Sequence, residues 1–306
     1  MPKVAATNAN FIKLGNAGGW ELECLRDGLL RFGYEAAPHH LCVAGRWEDI
    51  WTIWRSIRGD SGAATRDVNQ IKAFYESGGD TIFITFARGL LYWCRPIGAV
   101  EEQADGTRLR RTVNGWHDTS LGGKRLTMDK LSGNLLKVQM FRGTICRVKE
   151  TEYLLRKLGD ELSPEVIAAE EAERSMILAI TGLMRLLTWR DFEMLVDLVF
   201  SNSGWRRVSA VGQVQKTIDL ELLLPSTGER AFVQVKAEAN AQSLSDYTDR
   251  FKETTIYSRM FFVWHSGVLP VEAEAQADGI TLIGPARLAR MVFDAGLASW
   301  LREKVS

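Results

Sequence analysis

Asp219, Gln234 and Lys236 differ in chemistry and sit close together in the stretch KTIDLELLLPSTGERAFVQVKA, from Lys216 to Ala237. Alternation in T-I-D-L-E-L-L-L places Ile218, Leu220, Leu222 and Leu224 on one face of a strand, and Asp219 and Glu221 on the other. Pro225-Ser226-Thr227-Gly228 supplies a turn. In A-F-V-Q-V-K-A, Val233, Val235 and Ala237 share one face and Gln234 and Lys236 the other. A lysine in mid-strand needs a partner, because a buried unpaired charge is costly. Asp219 across the hairpin is the nearest. An aspartate beside another oxygen ligand can hold a hard cation such as Mg²⁺. Such an ion lowers the pKa of a bound water and offsets charge on an attacked phosphate. A lysine next to it can orient or deprotonate that water. The same residues also describe a strand pair closed by an internal salt bridge, since ion pairs serve structure as well.

The preceding stretch is W-R-D-F-E-M-L-V-D-L-V-F-S-N-S-G-W. Thr188-x-x-Asp191 predicts a capped helix over Trp189–Ser201. Glu193 falls in its first turns, and Asp197, one turn on, is a competing acid on the same face. Taken in order, Phe192-Glu193-Met194-Leu195-Val196, Gly204-Trp205, Asp219 and Gln234-Val235-Lys236 resemble the Mrr-like branch of the PD-(D/E)xK restriction endonucleases, over residues 188–306. The resemblance implies a Mg²⁺-dependent endonuclease whose catalytic residues are Asp219, Gln234, Lys236 and Glu193. In it Asp219 is the metal-binding acid, Lys236 the catalytic lysine and Glu193 the helix acid behind the metal. Gln234 stands where the wider superfamily has a second acid, so the implied metal ligands are Asp219, Glu193 and Gln234.

The elements that must hold these residues follow from patterning. After Lys236 come a polar loop (Ala237–Ser245), a helix (Ser245–Glu253) and apolar strands at Met260–Trp264 and Ile280–Ile283. Gly284-Pro285 opens a closing helix with Leu288, Met291, Val292 and Ala295 inward. That order predicts an α/β three-layer core, like that of the restriction endonucleases. Residues 151–187 form a helical connector. Ser163-Pro164 starts its helix, Glu165, Glu170, Glu171 and Glu173 make an acidic half, and Met176–Leu187 is an apolar run that packs on the nuclease domain or pairs with a second copy.

Residues 1–150 predict an α+β module: a small sheet or barrel with helices around it. Helices are expected over Arg46–Arg58, with Trp47, Ile50, Trp51, Trp54 and Ile57 on one side, and over Ala64–Glu76. Strands are expected at Thr81–Phe86, Leu90–Arg95 and Thr144–Val148. The order helix, Gly78-Gly79-Asp80 turn, D-T-I-F-I-T-F strand and a strand with Tyr92-Trp93 resembles PUA-like folds of the EVE and YTH type. That resemblance implies a reader of modified bases in nucleic acid. Its base-binding candidates are Trp20, Trp47, Trp93, Trp116 and Asn69, since stacking on aromatics holds a base taken out of the duplex. Each of these Trp also reads as simple core packing, and Asn69 as part of a solvated helix face. Residues 105–130 read as a basic, Gly-rich loop, in which Arg110, Arg111, Lys124 and Arg125 could track a DNA backbone.

The 306 residues suffice for two domains, and a net charge of zero confines any DNA-binding surface to local patches. Cys24, Cys42, Cys94 and Cys146 are scattered without metal-ligand spacing, as in reduced cytoplasmic proteins. No run reaches the length of a membrane span, and no phosphate-binding GxxxxGK[ST] loop occurs. The expectation is a cytoplasmic, homodimeric, modification-dependent DNA endonuclease of α+β two-domain class, a small PUA-like barrel or sheet with helices followed by an α/β restriction-endonuclease-like core. A nuclease for unmodified or structured nucleic acid, and a DNA-binding protein that no longer cuts, are the alternatives.

Overall fold

The computed structural model describes residues 4–208, 218–267, 269 and 279–306. Lys216 and Thr217, the first residues of the hairpin stretch, lie outside them. The chain divides into two compact units, Met1–Ser163 and Pro164–Ser306. No described helix is long and apolar enough to cross a membrane.

The first unit runs β1 (Asn8–Ile12), α1 (Glu21–Asp27), β2 (Leu29–Phe32), α2 (His39–Val43), α3 (Trp47–Arg58), α4 (Ser61–Glu76), β3 (Thr81–Ala87), β4 (Leu90–Cys94), β5 (Pro96–Glu102), β6 (Arg108–Thr112), α5 (Gly133–Leu136), β7 (Ile145–Arg147) and α6 (Thr151–Gly159). One sheet has the order β4-β3-β1-β7, and a second β2-β6-β5. Among the described residues these sheets stay separate, so of the expected small sheet or barrel the structure shows two sheets and no barrel. Strand β3 is buried on both sides, as its largely apolar sequence requires. Ile82 and Ile84 pack with Leu154 and Leu158 of α6. Phe83 packs the opposite way, with Ile50 and Trp54 of α3 and Val68, Ile71 and Phe74 of α4. Asp60 caps α4 by accepting from the Ala63 N–H at 2.6 Å. Ile57, expected inward, is exposed in the last turn of α3.

The basic loop expected over residues 105–130 is in part strand β6, and this corrects the reading of Arg110. Pairing with β2 and β5 turns Arg108 and Arg110 inward. Arg110 is 6% exposed, and its guanidinium donates to the carbonyls of Phe74 (3.1 Å), Ser77 (2.8 Å) and Gly98 (3.0 Å). Two of these carbonyls lie at the C-terminal end of α4, where a cation is favoured. Arg108 is 1% exposed and donates to Tyr75 Oη (2.8 Å) and the Ala37 carbonyl (2.6 Å). Both arginines hold the fold and are unavailable to phosphates.

The second unit contains α7 (Pro164–Met184), α8 (Trp189–Asn202), β8 (Arg206–Arg207), β9 (Leu220–Leu224), β10 (Glu229–Glu238), α9 (Ala241–Glu253), β11 (Arg259–Ser266), β12 (Ile280–Ile283), α10 (Pro285–Asp294) and α11 (Ala298–Val305). Residues 151–187, read as one connector, divide between the units at α6 and α7. The sheet order is β12-β11-β10-β9-β8, antiparallel at β9 and parallel from β10 to β12. Ala231, Val233 and Val235 pack against α7, α8, α10 and α11 through Ile180, Phe192, Val196, Leu288 and Leu301. On the other face Phe232, Phe262 and Trp264 meet Leu244 of α9. Helix on sheet on helix is the three-layer arrangement that the patterning predicted.

Candidate active site

Strands β9 and β10 pair antiparallel with Val233 opposite Leu220, which brings Gln234 to the level of Asp219. Asp219 lies in a bend just before β9 rather than within the strand. The alternation breaks there: Ile218, expected beside Leu220, packs instead with Phe232 and Trp264 on the α9 side. The bend lets the carboxylate cap the neighbouring strand. Asp219 Oδ2 accepts from the Val235 N–H at 2.7 Å and from Gln234 Nε2. Gln234 is 2% exposed, and its Oε1 has no hydrogen-bond partner among the described residues. Lys236 follows two residues along on the same face of β10, its Nζ 5.3 Å from the centre of the Tyr247 ring of α9. The Arg250 guanidinium lies 5.2 Å from the centre of the same ring.

The electrostatics tie a fourth residue to these. Burial pushes the Asp219 carboxyl above its ordinary value, against the opposing pull of the Val235 N–H, Lys236 and Gln234. Burial also raises Glu193 of α8, and the Asp219 charge raises it further, against Arg207, Arg190 and Lys236. The helix acid and the hairpin acid therefore share one electrostatic neighbourhood with the lysine. Two carboxylates, Glu193 raised by the charge of Asp219, beside a buried amide oxygen with no donor, make a donor set that suits a hard divalent cation. Among the described residues no three of His, Cys, Asp and Glu converge, so the set holds two acids and an amide rather than three acids. Asp197, the competing acid, makes an ion pair with Arg207 at 3.3 Å. Asp191 is used by the helix cap, bonding the Thr188 hydroxyl at 2.7 Å, and by Lys304 at 3.1 Å.

Sequence reasoning missed two residues around this site, and a buried histidine that packs on α8. Tyr247 and Arg250 stand three apart on α9, but only the packing of that helix on β10 places them against Lys236. His265, near the end of β11, is buried edge-on against Phe192 at 4.5 Å, with Nδ1 2.8 Å from Ser266 Oγ. Burial, and then the charge of Arg185, hold its imidazole below the ordinary value.

In the first unit the base-binding candidates separate. Trp93 is 7% exposed, donates to the Thr119 carbonyl at 2.8 Å and packs in the core with Ile82 and Leu91. It is a core residue, which corrects its reading as a reader. Trp116 donates to the Leu29 carbonyl at 2.9 Å and packs against the core of α3 and α4. Trp47 and Asn69 line one groove between α3 and α4, with Trp51 and Lys72. Trp20 lines a different cavity, of about 570 Å³, formed by loops and strand ends. Arg111, Lys124 and Arg125 are exposed; Lys124 pairs with Asp160 at 3.3 Å and Arg125 with Asp118 at 2.9 Å.

Residues 184–292 match the Mrr_cat family model, described as restriction endonuclease. No curated protein matches the chain. Among solved structures, the chain is similar to that of the MspJI restriction endonuclease in complex with a 27-mer oligonucleotide. The identity is 13% and the TM-score 0.33, over 92% of this chain and 74% of that one, a likeness too loose to carry an argument.

Proposed function

We propose, from the premise that residues 184–292 carry a restriction endonuclease domain, that the chain is a modification-dependent, type IV-like DNA endonuclease. Residues 188–306 hydrolyse the phosphodiester, and 1–150 form a PUA-like domain that selects the site by taking a modified base out of the duplex. The observation that carries the reading is the Asp219 carboxylate bonded to Gln234 and Val235, with Lys236 on the same face of β10 as Gln234 and the Glu193 carboxyl raised by the Asp219 charge.

Asp219, Glu193 and Gln234 Oε1 are the residues that would hold Mg²⁺. That ion, when bound, supplies a Lewis acid for the phosphate and a lowered pKa for a ligated water. Gln234 holds the Asp219 carboxylate in place through its Nε2. Lys236, steadied over Tyr247, orients the attacking water and offsets negative charge that grows on the phosphate oxygens. The water oxygen bonds to phosphorus, the bond to the leaving oxygen breaks, and that oxygen takes a proton. Arg111, Lys124 and Arg125 contribute backbone contacts. Cutting both strands needs two such sites, so the working form is a homodimer in the cytoplasm.

The test is digestion of modified and unmodified DNA of one sequence with Mg²⁺, beside Asp219→Ala and Lys236→Ala. Each substitution lowers cleavage at least about 100-fold. Unchanged cleavage in both removes the site assignment, and equal cutting of the two DNAs removes the dependence on modification.

A further inference from the structure

The chemistry of the cavity that Trp20 lines goes beyond stacking. Phe11, Phe86, Tyr34 and Trp20 give it aromatic walls, and Lys13 and Arg142 bring cations to it. Its volume of about 570 Å³ lies within the range of sites that enclose a small molecule. The Asn16 and Arg142 side chains make no hydrogen bond or ion pair among the described residues. Glu21 also lines the cavity, with its carboxyl raised by burial and lowered in part by Arg88.

A second observation is independent of the side chains. Ala17 and Tyr34, both lining residues, hold φ of +48° and +68°. The left-handed region is costly for residues with a Cβ, and such strain persists where the surroundings impose it, often at ligand sites. Tyr34 is fixed from behind: its ring stacks on Phe32 at 4.8 Å and its hydroxyl donates to Asp67 Oδ1 at 3.1 Å. Arg31 lies 4.8 Å from the centre of the Trp20 ring, so this wall too is held in place. The α3–α4 groove differs. Both of its indole N–H groups are used internally, Trp47 on Glu76 at 2.7 Å and Trp51 on Thr65 at 2.9 Å.

We infer that the cavity lined by Trp20, Tyr34, Phe86, Asn16, Glu21 and Arg142 binds one unstacked nucleotide whose base carries an exocyclic amino group, a cytosine or adenine type. This rests on the reading of the first unit as a base reader. Rigid aromatic walls take the base faces. The Glu21 carboxylate accepts from the amino group, and Asn16 can donate or accept on the same edge. Arg142 and Lys13 meet the phosphate that enters with the base.

The experiment uses the full chain in chelator, so that nothing is cut. Fluorescence anisotropy measures binding to duplexes that differ at one central base: cytosine, 5-methylcytosine, 5-hydroxymethylcytosine, adenine or N6-methyladenine. The wild type prefers one modified duplex over its unmodified counterpart. Trp20→Ala lowers that preference about ten-fold or more, as loss of one stacking surface should. Glu21→Gln, a near-isosteric change that spares the fold, also reduces it. A preference that survives both substitutions overturns the cavity assignment and leaves the reader reading standing. No preference in the wild type removes the reader reading and the cavity assignment with it.

Discussion

Gln234→Glu converts the donor facing Asp219 into a second carboxylate, and its cost can be worked from the site. The side chain is 2% exposed and its Nε2 donates to Asp219 Oδ2. The substitution removes one hydrogen bond to a charged group, worth about 1.5–3 kcal/mol. It also sets two negative charges side by side; at roughly 4 Å and an effective dielectric near 20 they repel by about 4 kcal/mol. The pair can escape by binding a proton. Holding a carboxyl of ordinary pKa near 4.3 neutral at pH 7 costs about 3.7 kcal/mol, which caps the repulsion. Once protonated, the introduced carboxyl donates to Asp219 again, so the two costs do not add, and the expected loss is about 2–4 kcal/mol in chelator. The sign with pH is fixed. A carboxyl whose folded pKa is raised stabilises below its unfolded pKa and loses that contribution as pH rises through the folded one. The deficit therefore shrinks from pH 7 toward pH 5. Millimolar Mg²⁺ narrows it as well, because a third oxyanion strengthens cation binding to the folded state. Urea unfolding of variant and wild type, at both pH values with and without the metal, checks this. Equal stability in chelator, or a deficit that widens on acidification, would show that Gln234 does not face Asp219.

Two further outcomes follow from contacts away from the metal ligands. Tyr247→Leu removes the ring that Lys236 and Arg250 both approach and lowers kcat for cleavage about ten-fold with little change in KM, whereas Tyr247→Phe keeps most of the rate; a kcat unchanged in the Leu variant sinks the positioning role. Arg110→Met leaves the carbonyls of Phe74, Ser77 and Gly98 without their donor and lowers stability by about 3 kcal/mol, measured by thermal unfolding. The salt dependence of DNA binding stays the same in that variant, while Arg111→Gln reduces its slope.

How far the sequence carries depends on what each pattern encodes. The two-residue period of β10 put Gln234 and Lys236 on one face, and the Thr188 cap located α8, because both are local rules that packing did not override. The same rule failed at Ile218, where a bend that serves the Asp219 carboxylate outweighs alternation. Arg108-Leu109-Arg110 reads as solvated because arginine is seldom buried, yet groups far off in sequence supply the acceptors, the Ala37 carbonyl for Arg108 and carbonyls at the end of α4 for Arg110. Helix α11 escaped notice because an eight-residue helix shows little periodicity, and only Leu301 of it is buried. Trp93 sits in a strand with Leu91 and Cys94 also buried, so composition alone could not separate core from pocket. Tyr247 and Arg250 depend on the docking of α9, which no spacing in the chain announces.

The antiparallel pairing of β9 with β10 has a consequence for how the enzyme comes into being. Asp219 meets its bonding partners only fifteen and sixteen positions along the chain. Contacts of such short range close early in folding, whereas the parallel neighbours β11 and β12 must wait for longer crossovers. Glu193 arrives from a separate helix. The aspartate–glutamine–lysine cluster is thus local to one hairpin, whereas the glutamate is brought to it by the packing of α8 on the sheet.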